Sequence, residues 1–198
     1  MRTTLMILSV CVAGALFAGC ATSTNTTANA NNTNASTGTV TRDAANANAS
    51  RAAGGSLSED DREFMAEAAE GGMLEVELGR LAAQKAQSPE VKRFGQQMVD
   101  DHTKAGAELK QLAAAKGVTL PAAMNEDQRE TVGDLSKLSG KEFDKDYVEE
   151  MVDDHEKDVS AFESAARSND AELKAFAAKT LPTLQGHLKM IREIKDQM

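Results

Sequence analysis

Four stretches of this chain carry apolar residues at three- and four-residue steps, a spacing that commits each to an α-helix with one buried face. The first stripe reads Phe64, Ala68, Gly72, Glu75, Leu78, Ala82, and the second Val91, Phe94, Met98, His102, Ala105, Leu109, Leu112. The third reads Phe143, Tyr147, Met151, His155, Val159, Phe162, Ala166, and the fourth Leu173, Phe176, Thr180, Leu184, His187, Ile191, Ile194. Each line carries one imidazole or carboxylate: Glu75, His102, His155 or His187. The chain has 3 histidines, so every one of them faces a predicted core.

The punctuation between stripes sets the topology. Ser58 is placed to cap the first helix, with Asp61 three residues on and an acidic start that suits the positive helix end. That helix runs to about Gln87. Ser88-Pro89 ends it and starts the second, with Pro at the first helical position. The second helix runs to Lys116, and Gly117 suits the left-handed stop. A crossover through Pro121 follows, with a short helix expected over about 125–138. The third long helix is expected over about 141–167, and the fourth over about 170–197 after the turn Ser168-Asn169-Asp170. Pro182 falls inside the fourth, where a kink is expected rather than an end. With 1 Tyr, no Trp and no run of β-branched residues at period two, nothing competes with an all-α fold. Two hairpins joined by one long crossover give the ferritin-like variant of the four-helix bundle, with a short extra helix in the crossover.

Counting from the turns, Glu75 lies about 13 residues before the first and His102 about 14 after it, while His155 lies about 14 before the last and His187 about 17 after it. At a rise of about 1.5 Å per residue the four reach similar heights, so one central cluster is geometrically allowed. Neutral imidazole with carboxylate is a ligand set for divalent Fe, Mn, Zn or Cu. Asp101 and Asp154, each beside a histidine, are candidates to ligate or to orient an imidazole through its second nitrogen. A hydrogen-bonded network of these groups with Tyr147, fixing helix register without metal, fits the same pattern. The Glu-x-x-His pairs of di-iron bundles are absent, since Val99, Val152 and Leu184 stand three before the histidines. The segment Met98-Val99-Asp100-Asp101-His102 recurs as Met151-Val152-Asp153-Asp154-His155. Gly71-Gly72 reads as a close approach by a neighbouring helix or side chain beside Glu75. Met65, Met73, Met98 and Met151 read as core filler rather than a copper-binding array. No phosphate-binding loop, nucleophile elbow or Cys–His pair is present, and no catalytic residue is assigned.

The N-terminus reads as an export signal over residues 1–19: Arg2, an apolar run from Leu5 to Phe17, then small residues. Leu16-Phe17-Ala18-Gly19-Cys20 resembles a bacterial lipobox, which implies cleavage before Cys20 and acylation of its thiol. Ala21, not Asp, follows the cysteine, which in similar lipoproteins points to the outer membrane, facing the periplasm. An ordinary secreted chain cut near Ala18 or Cys20 is the alternative. Cys11 would leave with the signal, so a lipidated mature chain has no thiol for a disulfide or thiolate site. Residues 20–56, rich in Asn, Thr and Ala, are expected to form a disordered tether reaching on the order of 35 Å. The folded domain is expected over 57–198. The formal net charge of −9 makes nucleic acid and anionic lipid head groups poor partners. The expected membrane contact is the lipid on Cys20, and no protein partner is read from the sequence.

From about Asp60 to Ile194 the chain resembles the bacterial family catalogued as domain of unknown function 4142, placed in the ferritin-like superfamily. The resemblance rests on Ala-Glu-x-x-x-Gly-Gly leading to Glu75, Val91-Lys92-x-Phe94, Asp101-His102, Phe143-Asp144-x-x-Tyr147, Asp154-His155 and Leu181-Pro182 before His187. It implies an exported, often lipid-anchored helical bundle and assigns no reaction. The function expected from all of this is a non-enzymatic envelope protein, structural or stress-related; the alternative is a metal-binding bundle with a buried His/Glu site.

Overall fold

The computed structural model describes residues 57–198; the expected signal, Cys20 and the tether to residue 56 lie outside the described residues. Five helices follow in order: α1 (Glu59–Lys85), α2 (Pro89–Lys116), α3 (Glu126–Lys137), α4 (Gly140–Ala165) and α5 (Ala171–Asp196). Among the described residues there is no strand, only an isolated bridge between Ala86 and Gly140 where two interhelix turns meet.

The helix ends form for local reasons. Ser58 Oγ accepts the Asp61 N–H at 3.0 Å, and the Asp61 carboxylate accepts the Ser58 N–H at 2.9 Å, closing a capping box. Ser88 accepts from the N–H groups of Glu90 and Val91 behind Pro89. Gly117 ends α2 at φ 67°, a left-handed conformation that glycine adopts without a Cβ clash. Asn125 and Gln128 form a second reciprocal box at α3. At the start of α5, Asp170 accepts from Glu172 and Leu173. α5 continues through Pro182.

α1 pairs with α2 and α4 with α5, and the hairpins meet as α1 on α4 and α2 on α5, with α3 lying over α1 and α4. The tightest approach is α1 to α2 at Gly79 and Gly95. A Cβ on Gly79 would stand 2.5 Å from the Gly95 carbonyl oxygen, and one on Gly95 2.6 Å from Ala82 Cβ. Only glycine lets the two backbones come this close.

The core divides into two apolar clusters. One gathers Leu78, Phe94, Met98, Phe143, Tyr147 and Ile191 with their neighbours. The other gathers Phe64, Met65, Leu109, Phe162, Leu173 and Phe176 with theirs. Each fully buried large side chain contributes about 1.5–3 kcal/mol. Met65, Met98 and Met151 are fully buried, as filler should be. Glu75, His102, His155 and His187 belong to neither cluster, yet all four are buried. None of the described helices is long and apolar enough to cross a membrane.

Candidate metal centre

α1, α2, α4 and α5 each deliver one of these four polar side chains to the bundle interior. The three imidazole rings make a near-equilateral triangle, with centroids 5.7 Å apart for His102–His155, 5.5 Å for His102–His187 and 5.4 Å for His155–His187. Phe94 packs beside the triangle, 6.0 Å from His155 and 6.3 Å from His187. One nitrogen from each ring lies within 4.8 Å of the other two. Glu75 joins them: Oε2 is 2.6 Å from His102 Nδ1, and Oε1 is 3.4 Å from His155 Nε2. The four residues that the stripes single out therefore meet.

Hydrogen bonds at the back of two rings fix which nitrogen faces inward. His155 Nδ1 is 2.9 Å from the Met151 carbonyl oxygen, which can only accept, so Nδ1 carries the proton and Nε2 offers a bare lone pair. His187 Nε2 is 2.9 Å from Asp101 Oδ2, so with Asp101 ionised it donates there and leaves Nδ1 bare. Those inner nitrogens, with His102 Nε2 and both oxygens of Glu75, have no hydrogen-bond partner. Glu75 Oε2 nonetheless stands 2.6 Å from His102 Nδ1, close enough for the carboxyl and the imidazole to share a proton. Tyr147 Oη and Asp154 Oδ2 are likewise buried without partners. Tyr147 thus closes no network.

The surroundings hold the imidazoles neutral. Burial pushes His155 down to about 3, helped by His102 and His187. Burial also lowers His102, against the fields of Asp158, Asp154 and Asp101. His187 is lowered by burial, against its bond to Asp101. Burial raises Glu75 well above the carboxylate range, with Asp154 adding to it. Asp154 rises to about 6 through burial and then the field of Glu150. Asp158 rises through burial and the fields of Glu75 and Asp154. No Lys or Arg is among the buried side chains of the described residues, and Lys157 acts on Asp154 and Asp158 from the surface. A bound cation would favour the ionised form of Glu75, and neutral imidazole is the form that ligates.

The fit to a single ion is direct. One nitrogen from each of three imidazoles converges, Glu75 stands beside His102 and His155, and two of the rings are oriented from behind by a carbonyl and a carboxylate, as metal-bound histidines are.

The imidazole that Asp101 bonds is that of His187, on another helix. Two sequence readings need adjustment. Asp154 contacts no imidazole through a hydrogen bond. Gly71-Gly72 is not a close approach: a Cβ on Gly71 would come no nearer than 3.8 Å to Asp158 Oδ1, and one on Gly72 would meet nothing within 4 Å. Asp158 is the residue that sequence reading missed. It stands three after His155, hence on the same helix face, and that spacing was the available signal.

Residues 46–194 match the family described as Domain of unknown function (DUF4142). The chain belongs to this family. No curated protein matches it significantly. Among solved structures, a DUF305 fragment from Deinococcus radiodurans superposes with TM-score 0.64 at 10% identity, covering 73% of this chain and 100% of that one. CopM in its Cu(II)-bound form gives TM-score 0.60 at 16% identity, covering 69% of this chain and 96% of that one. CopM in its Cu(I)-bound form gives 0.59 at 15%, with the same coverage. At these identities the likeness is one of fold, and it agrees with the all-α bundle read from the sequence.

Proposed function

We propose that this DUF4142 bundle binds one first-row transition ion, Fe, Mn, Zn or Cu, through His102, His155, His187 and Glu75. The observation that carries the reading is the cluster of three buried imidazoles, one nitrogen of each within 4.8 Å of the other two, with Glu75 in contact with His102 and His155. Leaving a buried polar group unpaired costs about 1–3 kcal/mol, more when charged. A network whose purpose is helix register would pair every buried nitrogen, yet His102 Nε2, His155 Nε2 and His187 Nδ1 accept no hydrogen bond. A bundle of similar fold is known in copper-bound forms, which makes copper the first ion to try. The Cys20 lipobox and the composition of residues 20–56 support placing the domain on a tether at the outer membrane, facing the periplasm. The reading assigns binding, not a reaction: Glu75 is the only carboxylate in contact with the imidazoles from inside the layer.

The test is metal content of the full chain, purified without a metal-binding tag, beside the His102→Ala/His155→Ala double variant. Near-stoichiometric metal by elemental mass spectrometry, lost in the variant, is the expected result. A wild-type chain that stays empty after supplementation with each ion would sink the proposal.

A further inference from the structure

The helices contain two kinds of glycine. Gly79 and Gly95 are explained by backbone contact. Gly72 and Gly106 are not: a Cβ on either would meet nothing within 4 Å. Glycine inside a helix is unfavourable relative to alanine, so packing gives no reason for either one. Gly133 and Gly186 also have free space, but they border no cavity described below.

Gly72 and Gly106 do. A groove of about 840 Å³ runs between α1, α2 and the crossover, with Val76, Val118, Leu120 and Met124 on its walls. A second cavity of about 20 Å³, room for one water, lies inside the bundle and is lined by Glu75, His102, Asp158 and Thr180 among others. Three residues border both spaces: Gly72, Gly106 and His102. The outer groove and the inner cavity therefore lie on either side of the same three residues, two of which, one on each helix, carry no side chain. His102 stands at that junction, only 6% exposed, with Nε2 unpartnered. The guanidiniums near the groove are engaged, Arg80 by Glu77 at 3.1 Å and Arg129 by the Met124 carbonyl oxygen.

We infer that Gly72 and Gly106 form the gate through which a metal ion passes from the groove to His102 and Glu75. The inference rests on the metal reading of the central layer. It makes two residues that touch no ligand atom control how fast the site fills, while leaving what the filled site looks like to Glu75 and the histidines. Side chains at the gate would fill free space, so they should be tolerated by the fold and felt only by traffic.

The experiment is stopped-flow uptake of Co(II) by the metal-free full chain, followed by its ligand-field absorption, for wild type, Gly72→Leu, Gly106→Leu and the milder Gly72→Ala/Gly106→Ala. The leucine variants should load slower by roughly tenfold or more, with the alanine variant between them and wild type. Final occupancy and the absorption spectrum should be unchanged. Wild-type loading rates in folded leucine variants would overturn the gate while leaving the metal site intact. An altered spectrum or lost occupancy would overturn it too, by making the glycines part of the site. A leucine variant that fails to fold leaves the alanine variant to decide, with an unchanged rate counting against the gate. A wild-type chain that takes up no Co(II) would remove the central site itself, and the gate with it.

Discussion

Three buried carboxylates of this bundle, Asp61, Asp144 and Asp170, accept backbone N–H groups, and a fourth, Glu75, accepts none. Asp144, on α4, accepts the N–H groups of Gln87 at 2.9 Å and Ser88 at 2.8 Å, tying down the α1–α2 turn. Asp170, fully buried at the other turn, accepts Lys116 Nζ at 2.6 Å and the N–H groups of Glu172 and Leu173. Glu75 is as buried as Asp170, yet it accepts no backbone N–H, and its polar contacts are neutral imidazoles, His102 Nδ1 at 2.6 Å and His155 Nε2 at 3.4 Å. The fold satisfies a buried acid where the acid is structural. The shortfall at the centre is therefore specific to that layer, and a metal ion would remedy it.

The comparison can be broken most forcefully with an ion. At a free concentration about a thousand times its Kd, a metal that binds only the folded chain adds about 4 kcal/mol to stability. Urea unfolding with and without the ion should show that gain in wild type and in Asp170→Ala, and none in His102→Ala/His155→Ala.

Without metal, removing the two kinds of acid should have opposite signs. Asp170→Ala strips a helix cap and leaves the Lys116 ammonium without its shortest buried contact. It should cost about 3 kcal/mol. Glu75→Met keeps volume and removes a buried acid that has neither a backbone N–H nor a cationic partner, so the metal-free protein should gain about 1 kcal/mol. Equal losses in both variants would mean Glu75 is as well satisfied as Asp170, contrary to the structure.

A smaller effect follows in acid. Burial pushes the Asp170 carboxyl up, but Lys116 and the N–H groups of Leu173 and Glu172 outweigh burial and hold it below its ordinary value of 3.8. A carboxyl lowered by folding contributes stability that is present above its unfolded value and lost as pH falls through its folded one. Stability should therefore drop below about pH 4. Asp170→Asn should flatten that drop, read as the urea midpoint against pH. A variant that keeps the full acid slope would place it on other groups.

Much of the fold was legible because its determinants are local. Ser58, Ser88-Pro89, Gly117 and Asn125 mark helix ends through neighbours within a few residues, and α2 runs over Pro89–Lys116 as those signals read. A central cluster of Glu75 with the three histidines was legible only as a possibility, because distance from the turns fixes height while a third of a turn of one helix would still separate the groups. What stayed hidden depends on contacts between helices. The repeated pentapeptide shows this: Asp101 reaches across to His187, whereas Asp154 keeps an unpartnered oxygen. His155 bonds its own helix carbonyl, whereas His102 faces Glu75. Five identical residues meet different neighbours and do different things. The same limit explains the glycines. Gly79 and Gly95 are required by a neighbouring backbone, and Gly72 is not, but nothing local in the sequence separates them.

The central claim is that three imidazoles and one carboxylate enclose an ion inside the bundle. X-ray absorption at the copper edge, on the full chain loaded with one equivalent of Cu(II), tests it most directly. The account expects an inner shell of nitrogen and oxygen with outer-shell scattering from three imidazole rings, reduced to one in His102→Ala/His155→Ala. A sulfur-containing shell, or a spectrum unchanged by the double substitution, would contradict it.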